Sequence, residues 1–430
     1  MLALCPSKYC PTLLKENSVI EFDQFTLDNG LRVLVHTDRS VPIVATNILY
    51  NVGSRDEDEN KTGFAHLFEH LMFGGSVNIP TFDEPLQIVG GENNAFTNPD
   101  ITNYYITVPA ANLETAFWLE SDRMLSLSFD PKVLEVQRKV VIEEYKQNYL
   151  NQPYGDALMS LKALAYQTHP YRWPTIGRDI SHIEEATLDD VKAFFYKFYR
   201  PNNAILVVAG QVETEEVKRL ANKWFGDIPA GETYHRDLPQ EAQQTKPRTL
   251  TKSGEVPAHA IYKAFHVPGR DDAGYQTVDL LSDILGRSRS SRLFTRLVKE
   301  NPLFSSINSY VTGSVDPGLL IIHGRLNQGV ELDTANSAID TIIREIQEQP
   351  ISNDELRKVK NQAESTLVFS EIELLNRAMN LAFSTLLGNP DLINQESEKI
   401  QAVNTDEIQR SSQEILDPEN SSTLFYEAND

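Results

Sequence analysis

Cysteine is nearly absent from this chain of 430 residues: there are two, Cys5 and Cys10. A pair so close together cannot staple a fold of this length, and C-x4-C alone is a poor zinc site. Both a disulfide scaffold and a cysteine-based zinc module are therefore excluded. Long apolar runs are missing as well. The strongest, AILVVAG at 204–210 and GLLIIHG at 318–324, have the length of buried strands and fall short of the roughly 18–20 residues a membrane helix needs. Positive charge is the third scarcity. Lys and Arg number 39 against 61 Asp and Glu, a net charge of −22. Nucleic acid and anionic membranes both reward a basic surface and are disfavoured as partners, whereas basic peptides are compatible. The opening stretch MLALCPSKYCPTLLKENS lacks the cationic start and apolar run of a secretory signal. A cytoplasmic location is the expectation, or a periplasmic one if a signal was removed before residue 1.

What is present points to a duplication. At 430 residues two domains of roughly 200 residues are the default. VPIVATNILYNVGSRD (41–56) aligns without a gap on VPAHAIYKAFHVPGRD (256–271), pairing Val41 with Val256, Pro42 with Pro257, Arg55 with Arg270 and Asp56 with Asp271 at an offset of 215. In both halves a strand-like stretch leads through an acidic turn into a helix-like segment. Strands and helices mix without strict alternation, which favours an α+β class with two similar domains. The expected organisation is a leader at 1–17, a first domain at 18–228, a linker at 229–250 and a second domain at 251–430. The linker is rich in Pro, Gln and charge and has no apolar period.

Within the first half, GFAHLFEHLMFGG (63–75) places His66 and His70 four residues apart. At 3.6 residues per turn they lie about 40° apart on one helical face and can share one ion, with Glu69 about 60° to the side of His66. This H-x-x-E-H order is a metalloprotease signature. A zinc ion held by two imidazoles and one carboxylate keeps a position for water, and Glu69 would serve as general base. The bland alternative, chance polar residues on an amphipathic helix, leaves an imidazole pair among Phe64, Leu67, Phe68, Leu71, Met72 and Phe73 without a reason. A third ligand is sought in VLEVQRKVVIEEYKQ (133–147). Glu144 continues the face of Val133, Gln137, Val140 and Val141, whereas Glu143 follows a more mixed face, so Glu144 is chosen. At the offset of 215 the second half carries LSDIL (281–285), without metal-type residues. The remaining histidines, His169, His259, His266 and His323 among them, read as surface or core residues.

GFAHLFEHLMFGG, GGENNAFTNPDITNYYITV (90–108) and QRKVVIEE (137–144), in that order, resemble the pitrilysin-type (M16) zinc metallopeptidases, and most of all their mitochondrial-processing-peptidase-like (M16B) subgroup. FTLDNGLRVLVHTD and YRPNNAILVVAGQV (199–212) extend the resemblance, which is densest over 20–230. It implies two α+β domains, each an antiparallel sheet packed with helices, in a half-clam. It implies Zn²⁺ on His66, His70 and Glu144, with Glu69 as base. It further implies that Asn94, Ala95, Phe96 and Thr97 belong to an edge strand on which a peptide or unfolded segment binds in extended form.

Two departures stand out. Gln137 occupies a place where family members often carry a second glutamate. The second half of active members usually supplies an Arg and a Tyr in a pattern like LREKRGLAYSV, but LVKENPLFSSI (297–307) puts Val298 and Ser305 there, with Arg296 and Tyr310 near but misplaced. The expectation is therefore a zinc-dependent endopeptidase acting as the zinc-bearing subunit of a heterodimer, whose homologous partner supplies Arg and Tyr; a homodimer is the other possible pairing. A non-catalytic peptide-binding or scaffold subunit is the alternative function, although such relatives usually lose the histidines or the base.

Overall fold

The computed structural model describes residues 19–429; the leader expected at 1–17 lies outside them. Among the described residues the strands form two sheets. The first contains β1 (Asp23–Thr26), β2 (Arg32–Thr37), β3 (Ile43–Tyr50), β4 (Glu92–Thr97), β5 (Thr102–Pro109) and β6 (Ala204–Gly210), in the order β1-β2-β6-β3-β5-β4. The second contains β7 (Arg248–Gly254), β8 (Ala260–Val267), β9 (Phe304–Val311), β10 (Gly318–Leu326) and β11 (Ser421–Ala428), in the order β7-β11-β8-β10-β9.

The two sheets are one topology used twice. The series β2-β6-β3-β5-β4 maps strand for strand onto β7-β11-β8-β10-β9. In each series the first pair runs parallel and the other three pairs run antiparallel. The sheets are thus antiparallel except for one pair each. The last strand of each half returns over a long helical connection and inserts beside β2 or β7, and such a crossover is what permits a parallel pair.

AILVVAG is a continuous apolar run because β6 is covered on both faces. Leu206 and Val208 join the core of the first half. Ile205, Val207 and Ala209 pack against Leu374, Ala378 and Leu381, which belong to the helix Leu374–Leu386 of the second half. The loan is returned. The first-half helix Ala157–Ala165 sets Leu161 and Ala165 against Ala260, Tyr262, Leu319 and Leu424 of the second sheet. Each half therefore completes the other's core.

An ion-pair cluster reinforces the join. Arg55, 2% exposed, pairs with Asp100 at 2.9 Å and with Asp316 of the second half at 2.7 Å. His169 adds its Nε2 at 3.3 Å from Asp316.

Two sequence expectations are corrected. The stretch read as linker to residue 250 lacks helix or strand only as far as 247, because β7 begins at Arg248. The second correction concerns the counterpart of the histidine segment. Gly63 (φ 90°) and Gly274 (φ 88°) precede equivalent helices, Phe64–Leu71 and Tyr275–Ser282, so the offset there is 211. Thr277, Leu280 and Leu281 are the counterparts of His66, Glu69 and His70, and 281–285 lies one turn further on. β3 and β8 stand 217 residues apart, and 13 residues separate strand from helix in the first half against seven in the second, which takes the offset to 211 at the helices.

Candidate metal centre

The helix Phe64–Leu71 buries Phe64, Ala65, Leu67, Phe68 and Leu71, leaving His66, Glu69 and His70 as its three partly exposed residues. Phe68 stacks on Phe194 and Tyr199 at 4.9 and 5.1 Å between ring centroids, which fixes the helix rotation. Gly63 enters from the left-handed region, and a Cβ there would stand 2.6 Å from the Ile176 carbonyl oxygen. The free donors of the first turn meet a buried acid. The N–H groups of Gly63 and Ala65 donate to the Glu57 carboxyl at 2.9 and 2.8 Å, as the unsatisfied N-terminus of a helix requires. Burial pushes that carboxyl up to about 8, against the pull of the two backbone donors.

The helix Pro131–Tyr145 brings the third donor. It opens with Asp130 capping the Lys132 N–H at 2.8 Å and with Pro131 in the first turn. It lies close against the end of the histidine segment because Gly74 has no side chain; a Cβ there would come within 2.3 Å of Val133 Cγ1. Glu144 faces His66 and His70, while Glu143 turns to solvent and pairs with Lys146 at 2.8 Å.

Glu144 Oε2 stands 3.6 Å from the Nε2 of both His66 and His70. The imidazole centroids are 4.8 Å apart, and the three donor atoms lie within 4.8 Å of one another. Two imidazole nitrogens and one carboxylate oxygen are a zinc donor set, and ligands roughly 2.0–2.1 Å from a tetrahedral ion stand roughly 3.3 Å apart. The residues fit a zinc ion. Their electrostatics agree. Burial pushes His66 down to about 4, which keeps it neutral and able to ligate. The His70 side chain beside it holds Glu144 below the usual carboxylate range. Burial disfavours the His70 imidazolium, but Glu144, Glu69 and Gln137 together raise its pKa. Gln137 therefore serves His70 as a neutral neighbour.

Glu69 points beside the donors toward β4. Burial raises its carboxyl above the ordinary range, and the adjacent Thr97 and His70 draw it back. Asn94, Ala95, Phe96 and Thr97 lie on β4, which ends the sheet and pairs only with β5. Alternate residues along it are exposed, and its outer edge is unpaired. The Ala95 N–H, turned away from β5, is met by the Asn94 side-chain oxygen at 2.8 Å. In the second half Val298 packs against the apolar core, Ser305 donates to the Arg325 carbonyl at 3.1 Å, and Arg296 is held by Glu345 at 3.0 Å.

The chain is 31% identical over 345 residues to the zinc protease PqqE of Helicobacter pylori, covering 79% of this chain and 77% of that protein. Residues 32–179 match the family model described as Insulinase (Peptidase family M16). The chain belongs to peptidase family M16. The remainder of the M16 chain fits the same picture: residues 185–363 match the model described as Peptidase M16 inactive domain, the half in which Thr277, Leu280 and Leu281 stand where the first half has two histidines and a glutamate. An uncharacterised zinc protease of Bacillus subtilis, YmxG, is 26% identical over 400 residues, 91% of this chain and 95% of that protein. The crystal structure of a protease from Helicobacter pylori superposes with a TM-score of 0.89 at 27% identity, over 95% of this chain and 99% of that one. Pitrilysin, at 19% identity, shares the fold with a TM-score of 0.75, but the match takes up only 45% of its chain.

Glu57 and Gly74 escaped the sequence reading. Glu57 acts on backbone N–H groups, which leave no side-chain pattern. Gly74 had a signal, the Gly-Gly pair closing the motif.

Proposed function

We propose that this chain is the zinc-bearing subunit of a zinc metalloendopeptidase that cleaves extended peptides. The observation that carries the reading is the convergence of His66, His70 and Glu144 next to Glu69 and the open edge of β4. A zinc ion on these three groups would polarise the scissile carbonyl and lower the pKa of an attacking water toward 7. The edge of β4 holds the peptide by main-chain pairing. Glu69 takes the proton of the attacking water and returns it to the leaving nitrogen, and its raised pKa suits that exchange. The test is Glu69→Gln, which keeps zinc at one per chain and lowers kcat by at least about a hundredfold. Full activity with zinc retained would overturn the assignment.

The pairing with a homologous chain rests on what the second half lacks. Val298 and Ser305 offer no cation or phenol to a developing oxyanion, and a donor of that kind is worth roughly 10²–10³ in kcat. Exposed Val136, Val140, Phe369 and Ile372 supply apolar surface for a partner to cover. Pitrilysin holds about two such lengths in one chain. Peptide cleavage by the purified chain is expected to be weak and to rise about a hundredfold or more with a homologue that brings the missing Arg and Tyr. Full activity of the chain alone would refute the pairing.

A further inference from the structure

Where the two halves meet, a cavity of about 240 Å³ is walled by Asn98, Asp100, Lys162, Tyr166, Tyr171 and Tyr310, among others. Most of its polar groups are already satisfied. Asp100 accepts from Arg55 at 2.9 Å, from the Val315 N–H at 3.0 Å and from the Tyr171 hydroxyl. The Tyr166 hydroxyl donates to the Pro317 carbonyl at 3.1 Å. Asn98 uses its side-chain oxygen on the N–H groups of Asp100 and Ile101. The groups left without a partner among the described residues are Lys162 Nζ, Tyr310 Oη and Asn98 Nδ2, and every one is able to donate. Among the described residues Lys162 is the only cation in the wall. Its burial disfavours the charged form, and Asp100 opposes that without forming an ion pair to it.

The position relates the cavity to the peptide path. Thr97 lies beside Glu69, and Asn98, Pro99 and Asp100 follow it directly in the chain. At roughly 3.3 Å per residue, these three lie within about 10 Å of chain beyond Thr97. The volume falls below the roughly 300 Å³ at which drug-sized ligand pockets begin, so it takes one or two side chains. We propose that this cavity is a carboxylate-accepting subsite, filled by an Asp or Glu side chain or by the terminal carboxylate of a peptide lying on β4. The proposal rests on the peptidase reading and adds a preference for an anionic group a few residues from the scissile bond.

The test uses the full zinc-loaded chain carrying Glu69→Gln, with fluorescent peptides in which Glu replaces Gln at one position at a time. A second arm compares free-acid and amidated C-termini, which separates an internal side chain from a chain end. A carboxylate is expected to bind about tenfold tighter than its neutral counterpart at one register. Lys162→Met abolishes that preference and Lys162→Arg retains it. If Lys162→Met fails to fold, Asn98→Asp, which keeps the two turn bonds and adds a negative charge, abolishes it instead. Peptides that bind with no carboxylate preference, or with one that these variants leave intact, would overturn the subsite alone. Failure of every peptide to bind would overturn the peptidase reading and the subsite with it.

Discussion

Glu57 decides how the histidine helix begins, although it touches none of the three metal donors. Its carboxyl meets two N–H groups of the first turn, and removing it leaves both buried without an acceptor. Glu57→Ala is expected to cost about 1–3 kcal/mol in urea unfolding and to weaken zinc retention, whereas Glu57→Gln, with one acceptor oxygen for two N–H groups, restores only part of the stability. The pH dependence has a definite sign. Burial raises the folded pKa from the ordinary 4.5 to about 8, so its stabilisation is complete below 4.5 and is lost as pH rises toward 8. The unfolding free energy of the native chain should therefore fall relative to Glu57→Gln across that window; a flat difference would show that the carboxyl is not perturbed. For the metal itself, Glu144→Ala should lower zinc content below one per chain after dialysis. His66, Glu69 and His70 were legible because a helix places residues four apart on one face. Glu144 was legible because its face is continuous with apolar neighbours. Glu57 was not, because a bond to a backbone N–H selects no pattern among side chains.

At the scale of elements, β4 combines exposure with an unpaired edge. The Ala95 N–H faces outward and is covered by its neighbour Asn94, which blunts the edge until a peptide displaces the amide. Ala95→Pro removes that outward donor and leaves the ladder to β5 its bonds. It should raise KM for peptides about tenfold with zinc content unchanged; an unaltered KM would place the peptide elsewhere. The apolar run of β6 announced a buried strand. The parallel pairs were invisible, since insertion of a returning strand depends on contacts far apart in sequence. The counterpart of the histidine segment was misplaced by four residues because unequal loops keep no constant offset.

Over the whole molecule, the exchanged helices make a boundary in sequence differ from a boundary in space. Composition marks the linker, but nothing local says that Leu374, Ala378 and Leu381 cover β6. Expressed separately, residues 19–228 and 248–430 should be insoluble or molten, with weak near-ultraviolet circular dichroism, and should recover native signal on coexpression. Independent cooperative unfolding of either piece would contradict the exchange. The same exchange sets a schedule for synthesis. β6 ends at Gly210, and the helix that covers its second face ends at Leu386. At about 5–20 residues per second the ribosome needs roughly 10–35 s to make the intervening chain. For that interval the nascent first half presents a bare apolar sheet face, a natural target for a chaperone that binds during translation.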